Sequence, residues 1–395
     1  ITRFGTLGEL AREGVPGLVF PYVNTDARDS GRYVVYAQQA GLGLPDEAYY
    51  REERYAEVRE AYLLHVERML GSLGLEGAGE VARRIFDLET RLAESHWDRV
   101  TNRDPVKTYN LYDAGSLAEL TPGLDWQAYI DGMGAPQAFL DALIVRQPTF
   151  LAAAAEAVLE VPIETWREWL TWHVLHGRAP YLTEDLVAEN FDFYGRTLSG
   201  VPENRERWKR GVALVEDAIG EAVGELYVAR HFPPAAKEAM ETLVANLVEA
   251  FRRSFKDLPW MGEETRAAAL RKLEAFTPKV GYPDRWRDYS SLRIDAADLM
   301  GNVRRAAVFE TDRNLAKLGQ PVDRGEWFMT PQTVNAYYNP GMNEIVFPAA
   351  MDQLANIANH PDVGTHIAVM PDCHIGYGVP IGCVAPTIDA VIPNA

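Results

Sequence analysis

Hydrophobic positions from about Asp46 to Val280 repeat at steps of three and four, the period of helices that bury one face. The clearest run starts at Lys237, where Met240, Leu243, Val244, Leu247, Val248, Phe251 and Phe255 form one stripe with charges between them. Before it, Val215, Ile219, Ala222 and Leu226 repeat the pattern until His231-Phe-Pro-Pro stops it. After it, Glu263 to Phe276 is rich in helix formers, and Thr277-Pro278 ends the run. The same reading predicts helices over Ala56–Leu73, Gly79–His96, Pro136–Leu159 and Pro162–His176. These long helices share no fixed repeat, which argues against a solenoid.

The pattern changes after Gly281-Tyr-Pro-Asp. Val334–Tyr338 and Glu344–Phe347 are rich in β-branched and aromatic residues and flank Asn339-Pro-Gly-Met-Asn, which predicts a β-hairpin with a five-residue loop. From Met351 the composition shifts again. Residues 351–395 hold four Asp and no Lys or Arg, and are rich in Gly, Pro, Val and Ile. This tail predicts a short helix over Asp352–Asn359 and one or two strands. The expected architecture is mainly α: a helical domain over 1–280, the start of a second domain with a partial β-hairpin edge over 281–350, and a small α/β fragment over 351–395.

Composition narrows the function. An apolar fraction of 47% and a charged fraction of 24% over 395 residues are those of a globular protein with room for two or three cores. A net charge of −18 argues against a nucleic-acid partner, since gripping phosphates takes clustered Lys and Arg. No membrane partner is expected either. The longest uncharged stretch, Cys373 to Ile388, is broken by Gly376, Gly378, Pro380, Gly382 and Pro386. The two cysteines, Cys373 and Cys383, both lie in the tail, and their spacing matches no zinc signature. Cysteine usage fits a bacterial cytoplasm, or an exported bacterial protein that does without disulfides.

Seven segments carry a resemblance. They are "FDLETRLAESHW" at Phe86–Trp97, "RDPVKTYN" at Arg103–Asn110, "ENFDFYGRTLSG" at Glu189–Gly200, "RWKRGV" at Arg207–Val212, "LYVARHFP" at Leu226–Pro233, the run Trp260–Trp286, and "FMTPQTVNAYYNPGMNEIVFPAA" at Phe328–Ala350. In this order and spacing, residues 1–350 resemble the neprilysin family of zinc endopeptidases, in its bacterial branch. The resemblance implies a large helical domain over a thermolysin-like catalytic domain, with a chamber that admits small peptides. It also implies that Asn335 and Ala336, with Tyr337 beside them, hold the substrate backbone. An extended peptide adds to a sheet edge through main-chain hydrogen bonds, and an Asn side chain offers that backbone both a donor and an acceptor.

The family's next feature is a helix with His-Glu-x-x-His, two ligands facing one zinc and a Glu that activates water. No two of the eight histidines have that spacing; His173 and His176 come nearest and read as packed or surface residues. The chain is therefore expected to lack the zinc cofactor, to have no catalytic residues and to hydrolyse nothing as it stands. The tail has its own resemblance. "QLANIANHP" at Gln353–Pro361 and "HIAVMPDCHIGYGVPIGCV" at His366–Val384 are similar to the RtcB-type RNA ligases, with Asp372 and His374 on that family's motif. Its metal-binding Asp and Cys, and its guanylylated His, are not in the sequence. Three readings follow: a peptidase part joined to an unrelated fragment, a non-catalytic peptide-binding scaffold, and an RNA ligase with an N-terminal extension. Extent of match favours the first.

Overall fold

The computed structural model describes residues 3–348, 368–374 and 381–384. They fall into two compact units, Ile1–Arg210 with Leu292–Val322, and Gly211–Ser291 with Asp323–Ala395. The architecture is mainly α with small sheets, as the hydrophobic periodicity predicts.

In the first unit the helices Ala56–Gly71, Ala78–Ala93, Pro148–Glu160 and Ile163–Arg178 surround a continuous core, in which Tyr62, Phe139, Phe150, Trp169 and Trp172 are fully buried. A four-stranded sheet packs with them, in the order β1 (Val19–Thr25), β2 (Tyr33–Gln39), β4 (Leu143–Val145), β3 (Leu111–Tyr112). The β1–β2 pair is antiparallel with Thr25 opposite Tyr33, and β2 runs parallel to β4. The turn between β1 and β2 closes on Asp26. Its buried carboxylate accepts the Arg28 N–H, two Arg32 bonds at 3.0 and 2.6 Å and the Tyr109 hydroxyl at 2.8 Å. Burial pushes this carboxyl up, but these bonds outweigh it and hold Asp26 below the usual carboxylate range.

The single helix predicted over Pro136–Leu159 is a correction. A short helix, Ala138–Asp141, gives way to β4, and a new helix starts at Pro148. Leu143, Ile144 and Val145 are apolar on both faces because the strand lies between β2 and β3. Such a short run cannot be told from a helix segment by periodicity.

At the centre of this unit sits Glu89, fully buried. It accepts from the Tyr50 hydroxyl at 2.8 Å, the Tyr62 hydroxyl at 2.9 Å and His173 Nε2 at 3.1 Å. Tyr62 in turn accepts from Trp172 Nε1. Burial, and then the neighbouring Glu89, keeps both phenols well above their ordinary pKa. Beside this network the π-helical turn Asp192–Thr197 stacks Phe193 on His65 and brings Tyr194 against His176. Elsewhere the helices Arg3–Arg12 and Trp126–Met133 cross in close contact. Any side chain at Gly8 would strike the Tyr129 carbonyl, and one at Gly132 would strike the Gly5 carbonyl.

In the second unit a three-stranded sheet has the order β5 (Thr277–Val280), β7 (Glu344–Phe347), β6 (Tyr337–Asn339). β5 and β7 are parallel, and β6 and β7 form the predicted hairpin, with Asn339 opposite Glu344 and the loop reduced to Pro340–Asn343. The predicted helical series ends at Glu274, so Thr277–Val280 is a strand. The core is Phe232, Met240, Val244, Val280 and Phe347, fed by the helix Pro234–Asp257.

The helix Arg207–His231 breaks at Ile219 (φ −139°, ψ 37°). There Gln332 Nε2 inserts, donating to the Gly220 carbonyl and to Glu216 at 2.9 Å each. In the tail, β8 (Ala368–His374) and β9 (Ile381–Val384) pair antiparallel. The predicted helix over Asp352–Asn359 lies outside the described residues.

Candidate functional site

The residues predicted to hold substrate lie at the outer edge of the β5–β7–β6 sheet. β6 pairs only with β7, so among the described residues its other side has no strand partner. The sequence predicts a strand from Val334, whereas the ladder begins three residues later, at Tyr337 opposite Val346. Two local devices delay it. A turn joins Thr330 and Thr333, whose backbone groups bond at 3.0 Å and whose hydroxyls meet at 2.7 Å. Asn335 Oδ1 then accepts the N–H of Ala336 at 2.8 Å.

Asn335 is exposed, and with its carbonyl so engaged its side-chain NH2 has no partner among the described residues. Ala336 packs against the Phe232–Met240–Val244 core, which anchors the start of the edge. Tyr337 is held from the side. Its hydroxyl accepts the Phe328 N–H at 3.0 Å, and the two rings meet edge to face at 6.1 Å. Burial pushes this phenol well above its ordinary pKa, with Glu344 and Glu326 adding to the effect. It therefore acts as a neutral hydrogen-bonding group at any ordinary pH.

Beneath the edge lies an ion pair that sequence reasoning missed. Lys279 on β5 and Glu344 on β7 meet at 2.6 Å with almost no exposure, and Lys279 Nζ also donates to the Glu326 carbonyl at 2.7 Å. Burial raises the Glu344 carboxyl, and pairing with Lys279 offsets this only in part. The alternation in "TPKV" was the one signal, since it places Lys279 on the same face as Thr277 in a four-residue strand. Nothing in the sequence pairs it with Glu344.

His173 and His176 belong to the core of the other unit and face no common metal. His173 bonds Glu89, and His176 lies between Trp172 and Tyr194. Among the described residues no group of three or more His, Cys, Asp or Glu is placed to hold a metal ion. The donor set of a catalytic zinc therefore does not fit the described residues. Asp372 and His374 lie in β8, where only the backbone is described. No helix of the described residues is long and apolar enough to cross a membrane.

Comparison with known proteins places this fold. The structure of Mycobacterium tuberculosis zinc metalloprotease ZMP1 in complex with inhibitor superposes with a TM-score of 0.84 at 52% identity, covering 88% of this chain and 53% of that one. The open state of the same enzyme gives a TM-score of 0.82 at 51% identity, over 91% and 55% of the two chains. The architecture is thus that of the N-terminal region of a zinc metallopeptidase. The family description "Peptidase family M13" matches residues 4–283, and the chain belongs to that family.

Among characterised relatives, the neutral endopeptidase of Lactococcus lactis is 28% identical over 361 residues, 88% of this chain and 56% of that protein. Neprilysin-3 of Drosophila melanogaster is 27% identical over 351 residues, 84% and 44%. The chain spans about half the length of the relatives it matches. A second description, "tRNA-splicing ligase RtcB", matches residues 353–395. The two matches do not overlap, and the chain is a composite of a neprilysin-type part and an RtcB-like fragment.

Proposed function

We infer that residues 1–350 are the N-terminal part of a zinc endopeptidase that cuts small peptides, and that Asn335, Ala336 and Tyr337 hold the substrate backbone. The β6 edge supports this reading: among the described residues its outer side has no strand partner, and it is entered by an Asn whose NH2 has no partner among them and an Ala fixed against the core. A peptide laid along that edge gains main-chain bonds of the kind one strand offers the next. Asn335 adds a donor at the point where the ladder stops. Tyr337 and the Lys279–Glu344 pair keep the edge in place.

In this reading the chain by itself binds peptides weakly or not at all and hydrolyses none, because no two of its histidines have the His-Glu-x-x-His spacing. Nucleic acid and membrane are not partners in this reading. The experiment is a hybrid carrying the zinc-binding half of a family member after Ala350. In an active hybrid, Asn335→Ala should lower kcat/KM by about 2–3 kcal/mol of transition-state binding, with zinc content unchanged. A loss below about 0.5 kcal/mol, less than one ordinary hydrogen bond, would remove Asn335 from the substrate edge.

A further inference from the structure

The first unit contains a cavity that takes no part in the peptide-holding edge. It lies between the helix Arg3–Arg12, the end of Pro148–Glu160 and the first two turns of Ile163–Arg178, with a volume of about 440 Å³. That is the size range of small-molecule sites, on the order of 300–1,000 Å³. Phe4 and Leu7 line one side, and Val158, Ile163 and Leu170 line the others. Trp166 and Arg167 complete the wall, and of the remaining lining only Thr6 is polar.

Two observations bear on what the cavity would hold. Neighbouring arginines are engaged: Arg84 holds Glu168 at 2.6 Å and Arg91 holds Glu160 at 2.5 Å. Arg167, exposed at the cavity rim, has no carboxylate or other acceptor among the described residues. Next, Trp166 is 6% exposed, and its indole N–H is buried without an acceptor. A buried donor left unpaired in a native core calls for a partner that the protein does not supply.

We propose that this cavity binds a small amphipathic carboxylate, its hydrocarbon body between Phe4, Leu7, Val158 and Leu170 and its carboxylate at Arg167. The body gains from leaving water, and the head group gains a charge-assisted bond from the guanidinium. A neutral alcohol of equal length keeps the first gain and loses the second. An amine of equal length meets Arg167 as a like charge.

The test uses the full chain and the fluorescent fatty acid dansyl-undecanoate as probe, displaced by decanoate, decanol or decylamine. One probe should bind per chain. Decanoate should displace it at least about tenfold better than decanol, as the loss of one charge-assisted bond requires, and decylamine worst of all. Arg167→Gln, at an exposed position, should abolish the preference for decanoate while circular dichroism stays unchanged. Leu170→Trp, which fills the cavity, should abolish probe binding in a chain that keeps its helical signal.

The absence of saturable binding would overturn the proposal. So would equal displacement by decanoate and decanol, or a decanoate preference that survives Arg167→Gln. If Leu170→Trp proves unfolded, the Arg167→Gln preference alone decides.

Discussion

The two units bury their apolar residues very differently. In the first, five large aromatic side chains are fully buried, and the polar groups among them converge on one carboxylate, Glu89. In the second, the main apolar cluster has five buried members; both units leave large apolar side chains exposed, Val100 and Trp208 in the first and Phe251 and Trp260 in the second. Periodicity alone does not separate them. The stripe of the Pro234–Asp257 helix is as regular as any in the first unit, yet Met240 and Val244 are buried and Phe251 is 53% exposed. A hydrophobic stripe states which face seeks cover, and only the packed neighbours decide how much of it is covered. The first unit therefore resembles a finished core, and the second a scaffold for an edge.

The contrast can be broken from its strongest point downward. Glu89→Ala should cost the first unit about 3–5 kcal/mol, because it leaves Tyr50, Tyr62 and His173 buried without their shared acceptor. Near-ultraviolet circular dichroism during urea unfolding reads this directly, since Trp172 donates into the same network. A cost under about 1 kcal/mol would mean that the network is peripheral to the core.

Lys279→Met is the corresponding cut in the second unit. It strands the buried Glu344 and should cost about 3 kcal/mol, whereas the pair Lys279→Met with Glu344→Leu should be nearly neutral. If the double substitution costs as much as the single one, the ion pair does more than satisfy two buried charges.

Acid should act on the first unit. Burial lowers His96 and His176 from 6.5 to about 4 each. With the folded pKa below the unfolded one, the folded state favours neutral imidazole. Stability is therefore full above pH 6.5 and falls as pH drops from 6.5 towards 4. The loss is about 3 kcal/mol for each histidine. The urea midpoint of the first unit, followed from pH 7 to pH 4.5, should fall steeply, and His176→Leu should reduce the slope. A slope unchanged by that substitution would place the acid sensitivity elsewhere.

The smallest effect belongs to the exposed stripe. Phe251→Ser should change stability by no more than about 0.5 kcal/mol, since the ring has little cover to lose. It should, however, reduce self-association at high protein concentration, measured by light scattering. A large loss of stability would show that the ring is buried in solution.

Family membership and the mainly α fold were legible in the chain, because helical stripes and turn punctuation are local. The helices beginning at Ala56 and Glu263 and the partners of the hairpin follow from spacing that each segment carries within itself. The place of Asn335 beside a sheet edge was legible from the resemblance, while its side-chain bond to the Ala336 N–H was not.

What the sequence could not carry was anything set by residues far apart in the chain. Leu143–Val145 became a strand because β2, about a hundred residues earlier, offered its edge, and an apolar run accepts either period. Glu89 became the acceptor for Tyr50 and His173, and Lys279 the partner of Glu344, through proximity that no local pattern encodes. Likewise the chain passes between its two units at 210, 291 and 322, so that Leu299–Leu315 joins the first unit through the paired Arg12–Asp312 bonds at 2.8 and 2.7 Å. Local order follows from the period of the side chains. Burial of charge and the pairing of strands depend on which distant segment arrives, and only the tertiary structure decides that.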